Sequence, residues 1–209
     1  MYLNLNRLSN IIFSILLSLP VFLFILFLSL LIVVVDRFNP FFVSTRIGKN
    51  GRKFKCYKLQ TLQPVFSNKI ILNSSKNKSR LTKLGTMLRN HGWDELPQIF
   101  NIIKGDMVFI GPRPILDEVY KDMINRYPSK KEIVLKWKKD RLKYEPGLSG
   151  WHQVNLSDHN IIKYDYEYFT KFSVFMNFLI VCKSILILLF GKNFNFQEII
   201  PPEEYVYYI

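Results

Sequence analysis

Hydrophobic and polar positions divide the chain into a long apolar opening and a mixed remainder. From Ile11 to Val35 a 25-residue segment carries no charge and is interrupted only by Ser14, Ser18, Ser29 and Pro20. As a straight helix it would reach about 37 Å, longer than a hydrocarbon core of roughly 30 Å. Pro20 removes a helix hydrogen bond and crowds the preceding turn, which predicts a kink there. Two topologies follow: a kinked helix that spans the bilayer with the basic residues after Asp36 kept in the cytoplasm, or a helix turned back so that both ends emerge on one face. The segment alone favours spanning, the commoner arrangement. Its length and the lack of an Ala-x-Ala type site after Val35 argue against a cleaved signal peptide.

Shorter periodicities follow. Phe41–Ile47 and Phe54–Leu59 have β-branched and aromatic character around Asn50-Gly51, which predicts a hairpin. Residues 63–80, rich in Asn, Ser and Lys, read as a surface loop. Leu81, Leu84 and Leu88, then Leu96, Ile99, Phe100 and Ile103, recur at helical spacing and predict two helices flanking Asp94-Glu95. The second is bounded by Asp94 as candidate N-cap, Pro97 in its first turn and Gly105 past its end. A short apolar stretch at 107–110 leads to the rigid turn Gly111-Pro112-Arg113-Pro114. Residues 115–127 and 129–143 read as helices separated by Pro128, the second rich in lysine around Ile133, Val134 and Trp137 and suited equally to a membrane surface or to plain solvation. A turn at Glu145-Pro146-Gly147 precedes Trp151-His152-Gln153-Val154-Asn155. Val174–Phe190 is apolar but holds Asn177 and Lys183, so it reads as interfacial or core. The pattern predicts an α+β, mostly helical protein with a small β-hairpin and no internal repeat.

The length of 209 residues suits one domain, and 49% hydrophobic with 15% aromatic residues excludes a collagen-like or wholly disordered chain. Cys56 and Cys182 are too few for a disulfide framework and lack metal-ligand spacing, which points to a reducing, cytosol-facing setting. Charge changes the picture more. Between Arg37 and Trp93 there is no Asp or Glu but 13 Lys and Arg residues, while the rest of the chain holds 16 basic and 16 acidic residues, so the whole net charge of +13 sits in this block. Such a block implies an anionic partner: nucleic acid, acidic lipid headgroups or a phosphorylated substrate. No nucleic-acid recognition module is legible, and neither a P-loop nor GxGxxG occurs.

Asp94 and Glu95 are the first carboxylates after the block. They are read either as a helix cap with its dipole complement or as chemistry. Surrounding cations should depress both pKa values and keep both ionised, and a helix N-terminus with nearby arginines suits a phosphate. An ionised carboxylate there either attacks phosphorus or holds Mg²⁺ on a diphosphate, and both uses describe phosphoryl transfer. Arg113, fixed between two prolines, is pre-positioned for phosphate. Arg89 and Lys58 either face the same site or are solvated. His91, His152 and His159 have no ligand spacing.

The chain resembles the small monotopic phosphoglycosyl transferases, bacterial sugar transferases that begin glycan assembly on polyprenol phosphate. The resemblance rests on RIGKNGRKFKCYKLQTL (46–62), RLTKLGTMLRNHGWDELPQIFNIIKGDMVFIGPRP (80–114), EPGLSGWHQVN (145–155) and DYEYFTKFSV (165–174). It implies a membrane-embedded re-entrant helix over 1–38 broken at Pro20, a catalytic domain over 39–190 on the cytosolic face with interfacial amphipathic helices, and a tail over 191–209. That overturns the preference for a spanning helix. It further implies Asp94 as nucleophile on the β-phosphorus of a UDP-sugar, and Glu95 as Mg²⁺ ligand with Asp94 and as helper in the acceptor step. Arg113, Arg89 and Lys58 become phosphate contacts, with undecaprenyl phosphate as acceptor and inner-leaflet lipids as further partners at the bacterial cytoplasmic membrane. The chain departs from the family pattern at Gly92-Trp93 (usually Ser-Leu), Lys58-Leu59-Gln60 (Lys-Phe-Arg), Leu156-Ser157 (Gly-Arg) and Asn177 (Asp). A non-catalytic polybasic membrane scaffold and a nucleic-acid-binding membrane protein are the rival functions.

Overall fold

The computed structural model describes residues 2–64, 79–155 and 161–192. Most of the expected 63–80 loop, His159, Leu156-Ser157 and all but the first two residues of the tail therefore lie outside the described residues.

An apolar helix α1 (Tyr2–Leu31) opens the chain and passes into a single π-helical turn, Ile32–Asp36, closed by Arg37 in the left-handed region. The backbone stays helical through Pro20. Within it, Ser14–Asp36 has a mean hydropathy of 3.0 and is long and apolar enough to cross a membrane. One stripe is packed: Ile25, Leu28 and Ile32 close on Leu59 and Leu88, with Trp93, Leu96 and Phe100 around them. The opposite face leaves Leu16, Leu19, Phe22, Leu23, Leu26 and Leu30 exposed. Nearer its start, α1 touches the domain again, where the Phe109 N–H donates to Asn10 Oδ1 at 2.9 Å.

The expected hairpin forms from β1 (Phe41–Ile47) and β2 (Lys53–Leu59), antiparallel, around a turn with Asn50 at φ 55°. Helix α2 (Lys83–His91) follows, with Thr82 Oγ1 capping it by accepting from Gly85 N at 2.8 Å. A 3₁₀ turn, Trp93–Gln98, leads into α3 (Ile99–Lys104). The apolar stretch at 107–110 is a strand, β3 (Val108–Ile110), and the Glu145-Pro146-Gly147 turn opens its parallel partner β4 (Gly147–Ser149). Three-residue strands are too short to reveal a period, so neither is legible as a strand in sequence. Between them stand α4 (Asp117–Arg126) and α5 (Lys131–Arg141). The chain continues through α6 (Trp151–Val154), α7 (Ile161–Thr170) and α8 (Val174–Phe190). Helix α8 buries Met176, Ile180, Lys183 and Ile187 and exposes Val174, Phe175, Phe178, Ile185 and Leu189, so it is apolar on its packed and its outward faces alike.

The parallel pair brings backbones together where glycine alone fits: a Cβ on Gly147 would lie 2.1 Å from Gly111 N. Gly111 N donates to Ser149 O at 2.9 Å and Gly147 N to Pro112 O at 3.0 Å, which fixes the Gly-Pro-Arg-Pro turn on both sides. Behind that turn sits a buried ion pair. Arg141 binds Asp165, Trp137 Nε1 donates to the same carboxylate at 2.8 Å, and Arg141 also reaches the Arg113 carbonyl. The Asp165→Asn variant leaves a buried guanidinium without its counter-charge, a loss of about 3–5 kcal/mol. Thermal unfolding of purified protein in detergent is expected to show a midpoint lowered accordingly.

Candidate functional site

The site is assembled on the 3₁₀ turn between α2 and α3. Gly92 closes α2 at φ 70°, ψ 11°, a left-handed cap that side chains adopt with strain, and so releases the chain into the turn. Asp94 is the second residue of that turn, and its side chain caps nothing. The expected N-cap role is therefore corrected: Gly92 occupies the cap position, and the Asp94 carboxylate takes no capping bond among the described residues. The helix N-terminus expected to suit a phosphate is likewise a six-residue 3₁₀ turn, so the positive groups that the structure places here are side-chain cations.

Those cations arrive from two directions. Asn101, fully buried on α3, accepts from Tyr57 N at 3.2 Å and donates to Lys55 O at 2.6 Å, locking the turn's helix to β2. That registry brings Lys58 Nζ to Glu95 Oε1 at 2.5 Å. From the other side, Arg113 forks onto the same carboxylate, Nη2 to Oε1 at 2.6 Å and Nη1 to Oε2 at 3.3 Å. Arg89 sits further out, its Nε donating to Thr61 Oγ1 at 2.8 Å, within electrostatic reach of Asp94 but not in contact with the pair. Lys58 and Arg113 are thus gathered at the dyad, and Arg89 is placed at its rim.

Two further cations were not legible in sequence. Lys192, just past α8, acts electrostatically on both Asp94 and Glu95; its backbone N–H donates to Asn90 O at 2.8 Å and to Asn90 Oδ1 at 3.1 Å. Arg46 on β1 donates to Ser44 Oγ at 3.1 Å and to Pro114 O at 3.4 Å, beside Arg113. The basic block itself was a signal for Arg46. Lys192 stands a hundred residues from Asn90, and no local pattern pairs them.

The two carboxylates have opposite electrostatics, which corrects the expectation that both are depressed. Burial pushes Glu95 upward, yet Arg113 and Lys58, by charge and hydrogen bond, hold it well below the usual carboxylate range. Burial and the adjacent Glu95 charge push Asp94 upward, against the pull of Lys58, Lys192 and Arg89. Asp94 is buried and, among the described residues, accepts no side-chain hydrogen bond, so its carboxylate is desolvated without being spent. No cluster of three or more metal-ligating side chains occurs among the described residues. Two adjacent carboxylates, one of them without a side-chain hydrogen bond among the described residues, fit Mg²⁺, an ion held by one or two carboxylates together with substrate phosphates and waters.

A family model described as bacterial sugar transferase matches residues 1–191. The UDP-glucose:undecaprenyl-phosphate glucose-1-phosphate transferase of Escherichia coli strain K12 is 30% identical over 156 residues, covering 69% of this chain and 31% of that protein. The UDP-N-acetylgalactosamine-undecaprenyl-phosphate N-acetylgalactosaminephosphotransferase of Aeromonas hydrophila is 31% identical, covering 83% and 41% respectively. Exopolysaccharide production protein ExoY of Rhizobium meliloti is 31% identical, covering 82% of this chain and 78% of its own. The chain thus spans well under half the length of the first two relatives.

The opposed carboxylates contribute to stability with opposite dependence on pH. Glu95 is ionised more readily in the folded than in the unfolded chain, so its contribution is present above the ordinary carboxylate range and disappears as pH falls through its lowered value. Asp94 has the reverse sign, its ionisation costing stability as pH rises. In metal-free buffer near pH 7, Asp94→Asn is expected to raise the thermal midpoint. Glu95→Gln, which strands two partly buried cations, is expected to lower stability by on the order of 2 kcal/mol. Differential scanning fluorimetry of both variants checks the two signs.

Proposed function

The chain belongs to the bacterial sugar transferase family, and on that premise we propose that it moves a sugar 1-phosphate from a UDP-sugar to a membrane polyprenol phosphate, releasing UMP. The observation that carries this reading is the pairing of a buried Asp94 carboxylate, which accepts no side-chain hydrogen bond among the described residues, with a Glu95 kept ionised by Lys58 and Arg113. One carboxylate is free to form a bond, and its neighbour supplies fixed charge. The relatives' names describe transfer of glucose 1-phosphate, or of an N-acetylgalactosamine phosphate, to undecaprenyl phosphate, and that acceptor suits a site seated against an apolar helix.

In this mechanism an Asp94 carboxylate oxygen attacks the β-phosphorus of the UDP-sugar. The bond from that phosphorus to the bridging oxygen breaks, and UMP departs with the electron pair. The sugar phosphate remains on Asp94 as an acyl phosphate. An oxygen of the polyprenol phosphate then attacks the same phosphorus, and Asp94 leaves as a carboxylate, completing a polyprenol diphosphate sugar. Two displacements let one site serve two bulky phosphates in turn. Arg113, Lys58 and, from the rim, Arg89 bind the phosphate oxygens, the first two exchanging part of their grip on Glu95 for substrate. Glu95 in turn assists the acceptor step. Asp94 and Glu95 would hold Mg²⁺, which supplies charge neutralisation on the diphosphate.

In the same reading, α1 is re-entrant rather than spanning. Its support is that α1 meets the domain both at Asn10 and at Ile25–Ile32, whereas the early part of a spanning helix would lie across the bilayer from the domain. The exposed apolar faces of α1 and α8 then sit in the inner leaflet of a bacterial cytoplasmic membrane, with the catalytic domain on the cytoplasmic side where basic residues are retained. The product would begin a surface glycan such as an exopolysaccharide, capsule, O-antigen or protein-linked glycan.

Protein in nanodiscs with Mg²⁺, undecaprenyl phosphate and a panel of UDP-sugars is expected to release UMP with at least one donor. Asp94→Asn is expected to lose at least about 10³-fold, and Arg113→Ala about 10²-fold. UDP release would instead identify an ordinary glycosyltransferase, and silence across the panel would favour a scaffold. For topology, a cysteine introduced at residue 3 is expected to resist a membrane-impermeant maleimide on intact cells; labelling there would overturn re-entry.

A further inference from the structure

Trp93, the residue before Asp94, touches both apolar helices at once. Its indole N–H donates to Leu188 O at 3.1 Å, one of the last-turn carbonyls of α8 that the helix leaves without an N–H partner of its own. Its ring meets Phe24 of α1 edge-on at 5.2 Å and 82° and stacks on His91 at 4.6 Å. A second tie lies just upstream, where Lys192 N–H is held by Asn90 and a Cβ on Gly191 would fall 2.3 Å from the Asn90 amide nitrogen. The two ties bracket Gly92, the left-handed residue at which the chain turns toward Asp94.

A short 3₁₀ turn has poor hydrogen-bond geometry and holds its own shape weakly. Asp94 therefore takes its position from its neighbours. Glu95 on one side is gripped by Lys58 and Arg113, and Trp93 on the other is gripped by α8 and α1. In-line attack on phosphorus requires the nucleophile within about 0.5 Å and 10–20° of its productive geometry. We propose that Trp93 is the positioning residue for Asp94, fastening the nucleophile's turn to both membrane-facing helices so that alignment depends on how those helices are seated. The inference rests on the phosphoglycosyl transferase reading for its kinetic consequence, and on the contacts alone for its mechanical one.

Two variants separate the contacts: Trp93→Phe keeps the ring against Phe24 and loses the N–H, and Trp93→Leu loses both. In nanodiscs, kcat for UMP release is expected to fall about tenfold in the first and about a hundredfold in the second. KM for the UDP-sugar should stay within about twofold, because the cations that bind the donor are untouched. Amide hydrogen exchange, measured without substrate, is expected to quicken at residues 94–98 in both variants while the β1–β2 hairpin is unchanged. Wild-type kcat in Trp93→Leu, a raised KM at constant kcat, or unaltered exchange at 94–98 would each overturn the proposal. If the wild-type protein releases no UMP, the reaction reading fails, and the exchange data still decide whether Trp93 fastens the turn.

Discussion

The ionic fork on Glu95 is the interaction on which the rest of the site depends. Its two cations come from a β-strand and from a proline-bounded turn, 37 and 18 residues away along the chain. Each is delivered by its own device. Asn101 locks β2 to the dyad helix, and the β3–β4 pair with the buried Arg141–Asp165 ion pair behind it holds Arg113. Three otherwise separate pieces converge on one carboxylate, while the Asp94 carboxylate beside it accepts no side-chain hydrogen bond among the described residues.

That division of labour answers a chemical difficulty. A carboxylate surrounded by cations is easily kept ionised but is a poor nucleophile when every lone pair is engaged. Here the cations grip Glu95, while Asp94 feels them at a distance and is desolvated. Desolvation raises the energy of the ionised Asp94, and the electrostatic field of Lys58, Lys192 and Arg89 keeps that form accessible.

The apolar elements belong to the site as well as to its surroundings. The cluster that receives Ile25, Leu28 and Ile32 of α1 also contains Trp93, Leu96 and Phe100, residues of the dyad turn and the helix after it. The end of α8 closes over the same turn through Leu188 and Lys192. The apolar helices α1 and α8 and the turn that carries Asp94 therefore meet at one junction.

Local chemistry determined much of this. An uncharged run of 25 residues, Asn-Gly between two β-branched stretches, leucines at helical spacing around Asp94-Glu95 and a proline-locked Arg113 each act over a few residues, so the apolar helix, the hairpin, the flanking helices and the main candidate residues of the site are legible in order. Tertiary structure decided what no local period encodes. The strands β3 and β4 are too short to carry a pattern and exist because glycines at 111 and 147 allow their backbones to meet. Local signals offer Asp94 as a candidate helix cap as well as a chemical group, and in the fold Gly92 occupies the cap position. The opposite ionisation of two adjacent acids arises because burial and the direction of approach of Lys58 and Arg113 differ over a single residue, and such differences are properties of packing in space, to which the order of residues along the chain gives no direct access.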